Sequence, residues 1–382
     1  MLLAIKNATL LTVTKGVIEN GTLLIEDGKI AALGQDVVVP AAAQVIDAKG
    51  GFVCPGFVDA HTALGLKEDS TRWEGADHNE ITNPVVPHMR ALDGFNPHDE
   101  ALPTAREGGV TTTLVSPGTL NVLGGIAAVF KTSQSDTADA MYVKEFAVKV
   151  GLGNDVKGQW GGEKKMPSTR MGTAAMLREA LQGARNYMKK QENAEKAPDF
   201  DLKQETLARV LRGELPLLVH AHRADDIYTA LRISAEFGVT MILTTGTEAH
   251  KLAKELAARN VPVIVGPLAQ ARMKVDTAGR TIITPGVLAE HGVKVALTTD
   301  HPSTPSYMLP FSAGLAIRGG MDPQEALKAI TINAAEIIGM GDRVGSLEVG
   351  KDADVLILDG HPLRLRSRIQ TTIINGKVEY QL

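Results

Sequence analysis

The sequence predicts an α/β protein, a (β/α)8 TIM barrel inserted into a small β-sandwich that the two termini build together. Three observations carry this expectation. Through the middle of the chain, near-continuous apolar runs alternate with amphipathic helices, the pattern of parallel strands covered on both faces. Eight such runs fall within roughly 250 residues, the size of one barrel. The two ends have a different texture, short β-like runs split by Asn20-Gly21, Asp27-Gly28 and Asn375-Gly376, dipeptides that favour hairpin turns because both central residues tolerate positive φ. The expected units are a terminal domain of residues 1–50 plus 345–382 and a barrel of residues 51–344.

The terminal strands are read at Leu2–Ile5, Thr9–Val13, Thr22–Ile25 and Lys29–Leu33, joined by Asp354–Leu358 and the runs on either side of Asn375-Gly376. Barrel strand one lies in Pro55-Gly56-Phe57-Val58-Asp59-Ala60-His61-Thr62-Ala63, an apolar run that turns polar only where it emerges. Strands two to four are read at Val110–Val115, Ile126–Phe130 and Ala147–Leu152; strands five to eight at Leu215–His220, Thr240–Thr245, Pro262–Gly266 and Lys294–Asp300. Between them, Ala224–Phe237 has helical periodicity and stops at Gly238, a natural C′ residue. Thr247 is a candidate N-cap for the next helix, and Asp322-Pro323 opens another with Pro at N1. Residues 170–213 hold two helices around the charged linker Lys189–Lys196. The stretch Gly65–Glu100 has no period and carries Trp73, His78, His88 and His98; so long a loop on the active-site side of a barrel is read as a lid or as a surface contact.

A net charge of −4 from 40 basic and 44 acidic residues leaves no basic stripe for nucleic acid and no membrane patch. The expected partners are a small-molecule substrate and other copies of the chain in a homo-oligomer. Cys54 is the single cysteine, so no internal disulfide forms. No apolar run approaches the roughly 18 residues of a membrane span and Met1–Ile5 does not read as a leader, so a cytoplasmic location is expected.

Titratable residues collect at the ends of the predicted strands: Asp59 and His61 on strand one, His220, His222 and Arg223 on strand five, Asp300 and His301 on strand eight. Imidazoles and a carboxylate converging there suit one divalent ion, Zn²⁺ first, with Mn²⁺ or Fe²⁺ as alternatives. Asp300 is the candidate proton acceptor from water, with His301 as a proton carrier. His222 is a candidate fourth nitrogen or substrate contact, and Arg223 a bidentate clamp for a substrate carboxylate. The bland alternatives are a hydrogen-bonded plug for His61 and Asp300, and a surface pair for His222 and Arg223.

Four segments resemble the amidohydrolase superfamily, in particular its imidazolonepropionase-like group. They are His220-Ala221-His222-Arg223-Ala224-Asp225-Asp226-Ile227, Thr247-Glu248-Ala249-His250, Thr299-Asp300-His301-Pro302 and Gly345–Asp354. With the strand-one signature and Gly124-Gly125, the likeness spans nearly the whole chain. It implies a metal-dependent hydrolase acting on a C–N bond of an amide, lactam or related small polar substrate. It also implies metal ligands at two strand-one histidines, a carboxylated lysine or a glutamate on strand four, a histidine on each of strands five and six, and the strand-eight aspartate. His61, His220 and Asp300 fill three of these positions. Ala63 stands at the second strand-one histidine and Thr245 at the strand-six histidine, while Gly153-Asn154-Asp155 offers neither lysine nor glutamate at the end of strand four. The depleted set leaves two expectations: a hydrolase with at most one ion, or a catalytically inactive protein of the same fold acting as a binding or scaffolding subunit.

Overall fold

The structure is a computed structural model and describes residues 2–193 and 198–382. Ala194–Ala197, which include the end of the predicted charged linker, lie outside the described residues. Sixteen strands form two eight-stranded sheets. The N-terminal part of the first contains β1 (Leu2–Leu11), β2 (Val17–Glu26), β3 (Lys29–Gly34), β4 (Gln44–Asp47) and β5 (Phe52–Pro55). The barrel sheet opens with β6 (Phe57–Thr62), β7 (Val110–Val115), β8 (Leu123–Lys131) and β9 (Tyr142–Gly151). It closes with β10 (Leu217–Ala221), β11 (Met241–Thr245), β12 (Val263–Val265) and β13 (Val295–Leu297). The chain returns to the first sheet with β14 (Val355–Leu358), β15 (Ile369–Ile374) and β16 (Lys377–Gln381).

Both termini build the first sheet, in the order β16-β15-β14-β5-β1-β2-β3 with β4 beside β1. Leu3, Ile5, Leu10, Leu23, Ile25, Val53, Val355 and Ile373 form its own apolar core. The run read as one strand from Pro55 is divided. β5 pairs with β1 and β14, and β6 begins after Gly56 in the other sheet. A Cβ on Gly56 would stand 2.1 Å from the Thr111 hydroxyl oxygen, so only glycine lets the chain cross between sheets there.

The barrel sheet runs β6 to β13 in sequence order. Its third strand departs from the all-parallel expectation, because β8 is antiparallel to both β7 and β9. The connections Ser116–Val122 and Thr132–Met141 are shorter than the dozen or more residues of a parallel crossover, so β8 can return only in the opposite sense. Val58, Ala60, Leu114, Val129, Ala147, Leu218, Ile242, Ile264 and Ala296 fill the interior, and Ala334, Ala335, Ile337 and Ile338 of the helix Ile332–Ile337 and its end close it. The Val58 N–H donates to Ile330 O at 2.9 Å, which places this plug at the start of β6 and leaves the strand C-termini as the open mouth.

Several predicted helix ends are seen. Gly238 adopts φ 69° after the helix Ala224–Phe237, and Asp322 accepts the N–H groups of Gln324 and Glu325. Thr247 does not cap; its hydroxyl is used by His222. The loop Gly65–Glu100 is packed on the mouth: Asp99 accepts the N–H groups of Gly65 and Asp69, and Val85 and Arg90 bridge to β8. No helix among the described residues is long and apolar enough to cross a membrane.

The sheets are pinned together by a buried ion pair. Lys131 of β8, with its side chain 3% exposed, places Nζ 2.5 Å from Asp354 and 3.3 Å from Asp352. Asp352 has two further cations, Lys29 and Arg343, but among the described residues Asp354 otherwise accepts only from Thr112 and the Asn375 N–H. Lys131→Met is therefore expected to lower stability by about 3 kcal/mol, because it leaves a buried carboxylate without its charge partner. The denaturant midpoint should fall, and the Lys131→Met/Asp354→Asn pair should recover most of the loss; an unchanged midpoint in the single variant would refute this role.

Candidate active site at the barrel mouth

Strand alternation sets the site. Leu218 points into the interior core, so His220 two residues on also faces the axis, with His222 following it beyond the end of β10. The two rings lie edge to face, 4.8 Å between centroids. His220 is 3% exposed, and neither of its ring nitrogens has a hydrogen-bond partner. Burial, reinforced by the charges of His222 and Lys149, holds its basicity well below the ordinary imidazole range, so the ring is neutral with a lone pair to offer. His222 is anchored through Nδ1 to the Thr247 hydroxyl at 2.7 Å, which fixes its orientation. Asp155, in the first turn of the helix Asn154–Gly162, completes the group. One donor atom from each of Asp155, His220 and His222 lies within 4.8 Å of the others.

Beside this group stands a residue the sequence reading passed over. Lys149 of β9 is two residues beyond the interior Ala147 and is fully buried. Its Nζ is 2.5 Å from His61 Nε2, and burial, opposed by the charge of Asp300, pushes its pKa down to about 7. The strand-four lysine that the resemblance requires is therefore inside β9, upstream of Gly153-Asn154-Asp155. Lys149 is the one charged residue in the buried half of β9, Ala147–Gly151, and that was the available signal.

His61 Nδ1 lies 3.0 Å from Asp300 Oδ1. Burial raises the Asp300 carboxyl, but His61, the Lys149 charge and the Ser303 hydroxyl outweigh it and hold the group below its ordinary value, ionised. His61 is itself made less basic by burial and by Lys149. Beneath them Asp59 is buried, and desolvation raises it to about 6 against the hydroxyls of Thr298 and Thr299, which donate to it. Asp59 thus joins β6 to the end of β13 and holds the floor of the site.

The remaining candidates are placed as follows. His301 is buried with neither ring nitrogen bonded, and its carbonyl accepts the Ala63 N–H at 2.8 Å. Arg223 is not gathered into the group: its guanidinium grips Asp225 through two bonds of 2.9 Å and is held more basic by it. Ala63 packs with the apolar core, and the Thr245 hydroxyl bonds to the Ala221 and Thr244 carbonyls. The Asn154 N–H donates to Asp276 at 2.5 Å. His78, in the loop above, is pushed down to about 4 by burial and contributes to a pocket of about 460 Å³ beside Gly124. A Cβ on Gly124 would sit 3.5 Å from Lys149 Cγ, so that pocket abuts the lysine.

Two neutral imidazoles and a carboxylate, with no hydrogen-bond partner for the buried ring of His220 among the described residues, fit a divalent ion by the chemistry of the donor set. The sequence profile of the Amidohydrolase family matches residues 52–379. An imidazolonepropionase from Geobacillus sp. (strain WCH70) is 29% identical, over 90% of this chain and 84% of that protein. Amidohydrolase tasK from Hapsidospora irregularis is 25% identical over 94% of this chain, which spans only 40% of that protein's length. The crystal structure of an amidohydrolase from Thermotoga maritima MSB8 superposes with a TM-score of 0.96 at 40% identity, covering 100% of both chains.

Burial of Lys149 sets a stability test. A lysine that titrates near 7 when folded and near its ordinary value of about 10.4 when unfolded costs stability, fully below pH 7 where the charged group is buried, and less and less as pH rises toward 10. In metal-free protein Lys149→Met is expected to raise the melting temperature at pH 7, with the gain shrinking steadily toward pH 10. A gain independent of pH, or a lowered melting temperature at pH 7, would contradict the neutral, desolvated lysine.

Proposed function

The chain belongs to the amidohydrolase family, and from that premise we propose that it hydrolyses a C–N bond of a small polar substrate at the barrel mouth, using one divalent ion held at His220. The observation that carries this reading is the convergence of Asp155, His220 and His222 around a buried imidazole with no other partner. His220 belonged to the ligand set expected from the sequence; in this reading His222 and Asp155 join it in place of His61 and Asp300, which pair with each other, His61 bonding also to Lys149. When bound, the ion supplies Lewis acidity to a scissile carbonyl and to water.

The protein's own groups divide the remaining work. Asp300, kept ionised beside His61, accepts a proton from water and delivers it to the leaving nitrogen. Lys149, made far less basic by burial, donates a hydrogen bond to His61 Nε2 and so fixes the ring against Asp300. Thr247 orients His222 through Nδ1 and leaves Nε2 for the ion. His301, buried at the rim with both nitrogens unbonded, is placed to contact the substrate. The relatives named imidazolonepropionases make cyclic amides the first substrates to try, followed by linear amides and dipeptides.

Metal analysis of variants separates the donor sets. After loading with zinc and dialysis, the wild type should retain about one equivalent, and Asp155→Asn, His220→Ala and His222→Ala less than about a tenth. His61→Ala and Asp300→Asn should keep the ion and lose at least about a hundredfold in turnover. Loss of metal in His61→Ala and Asp300→Asn with retention in His222→Ala would move the ion to the His61, His220 and Asp300 set. Wild type that holds no metal and turns over no amide would favour the non-catalytic alternative.

A further inference from the structure

A cleft of about 660 Å³ lies on the outside of the barrel, between the helix Leu309–Arg318 and the β14–β16 end of the terminal sheet. It shares no lining residue with the group at the mouth. Its volume is that of a small-molecule site. Phe57, Phe311 and Leu363 give it an apolar lining.

Two features distinguish it from a packing gap. Gly314 occupies the middle of the helix, where glycine weakens the helix relative to alanine, and a Cβ built on it meets nothing within 4 Å. The helix thus leaves open space over the cleft where nothing in the packing requires a glycine. The second feature is charge. Arg318, Arg364 and Arg368, all exposed, line the cleft, and none makes a side-chain hydrogen bond or ion pair among the described residues. Glu107 is the one acidic side chain in the lining. Unpaired guanidinium groups beside an apolar wall match a ligand with an acid group at one end and hydrocarbon at the other, since the planar fork accepts a carboxylate bidentately.

We propose that this cleft is a second binding site, for a small organic anion with an apolar body. The anion's acid group is held by the arginines, and its hydrocarbon lies over Gly314 against Phe311. The site is independent of hydrolysis at the barrel mouth.

Titration calorimetry of the full chain with octanoate tests it, with octan-1-ol as the uncharged control. Octanoate should bind saturably at one site per chain, at least about tenfold tighter than octan-1-ol. Arg364→Gln/Arg368→Gln should weaken octanoate at least about tenfold while leaving octan-1-ol unchanged, and Gly314→Leu should weaken both by filling the space. Gly314→Leu is a helix-favouring change, and circular dichroism should show its melting temperature undiminished; if it does not fold, the arginine variants and the uncharged control still decide. Absence of saturable binding, equal affinity for the alcohol, or full affinity in the arginine variants would overturn the proposal. So would a change of oligomeric state in Gly314→Leu by light scattering with octanoate unbound by wild type, which would make the cleft a contact between copies of the chain.

Discussion

His220 is buried at the barrel mouth with neither ring nitrogen bonded to any described part of the protein, and that constraint organises what surrounds it. An unpaired polar group in a low-dielectric interior costs on the order of 1–3 kcal/mol, and a ligand at the ring would offset that cost. Alternation along β10 forces it inward, since shifting the strand by one residue would turn Leu218 and His220 outward together. The unsatisfied imidazole and the apolar packing of the barrel therefore come from the same register, and neither can be relieved without losing the other.

The neighbours are held from outside the site. Arg170 bonds to both Asp226 and Asp276, and Asp276 in turn accepts the Asn154 N–H, so the turn that delivers Asp155 is clamped from the helix behind it. Lys274 and Thr119 fix the two Asp155 oxygens. On the other side, Thr298 and Thr299 donate to Asp59, tying the end of β13 to β6 and carrying Asp300 to His61. Ala63 and Thr245, which read as losses, are absorbed by packing and by backbone carbonyls. In the function proposed above, the compact group of Asp155, His220 and His222 takes over the ion, which would shift the site as well as reduce it.

Much of the fold was legible because it rests on local signals. The run Val110–Val115 is β7 to the residue, Gly238 ends its helix in the left-handed region, and Asp322 caps the next. The reversal of β8 was not legible, since an apolar run carries no sign of its direction and only the shortness of its connections reveals it. The change of sheet at Gly56 was hidden for a similar reason: both halves of the run are buried strand, and the break depends on the Thr111 side chain from another strand. In the site, His61, His220 and Asp300 announced themselves as polar residues at strand ends. Lys149 did not, because it lies within the strand, and Asp155 did not, because a helix turn and a distant arginine clamp bring it there. Arg223 looked like a substrate clamp until Asp225, two residues away, was seen to occupy it.

The account stands or falls on where an ion binds relative to His220. Anomalous diffraction at the zinc edge, on crystals of zinc-loaded protein, locates it directly. The account predicts one peak at about 2.0–2.2 Å from a nitrogen of His220, a nitrogen of His222 and an oxygen of Asp155. A peak between His61 and Asp300, or none at the mouth, would contradict it.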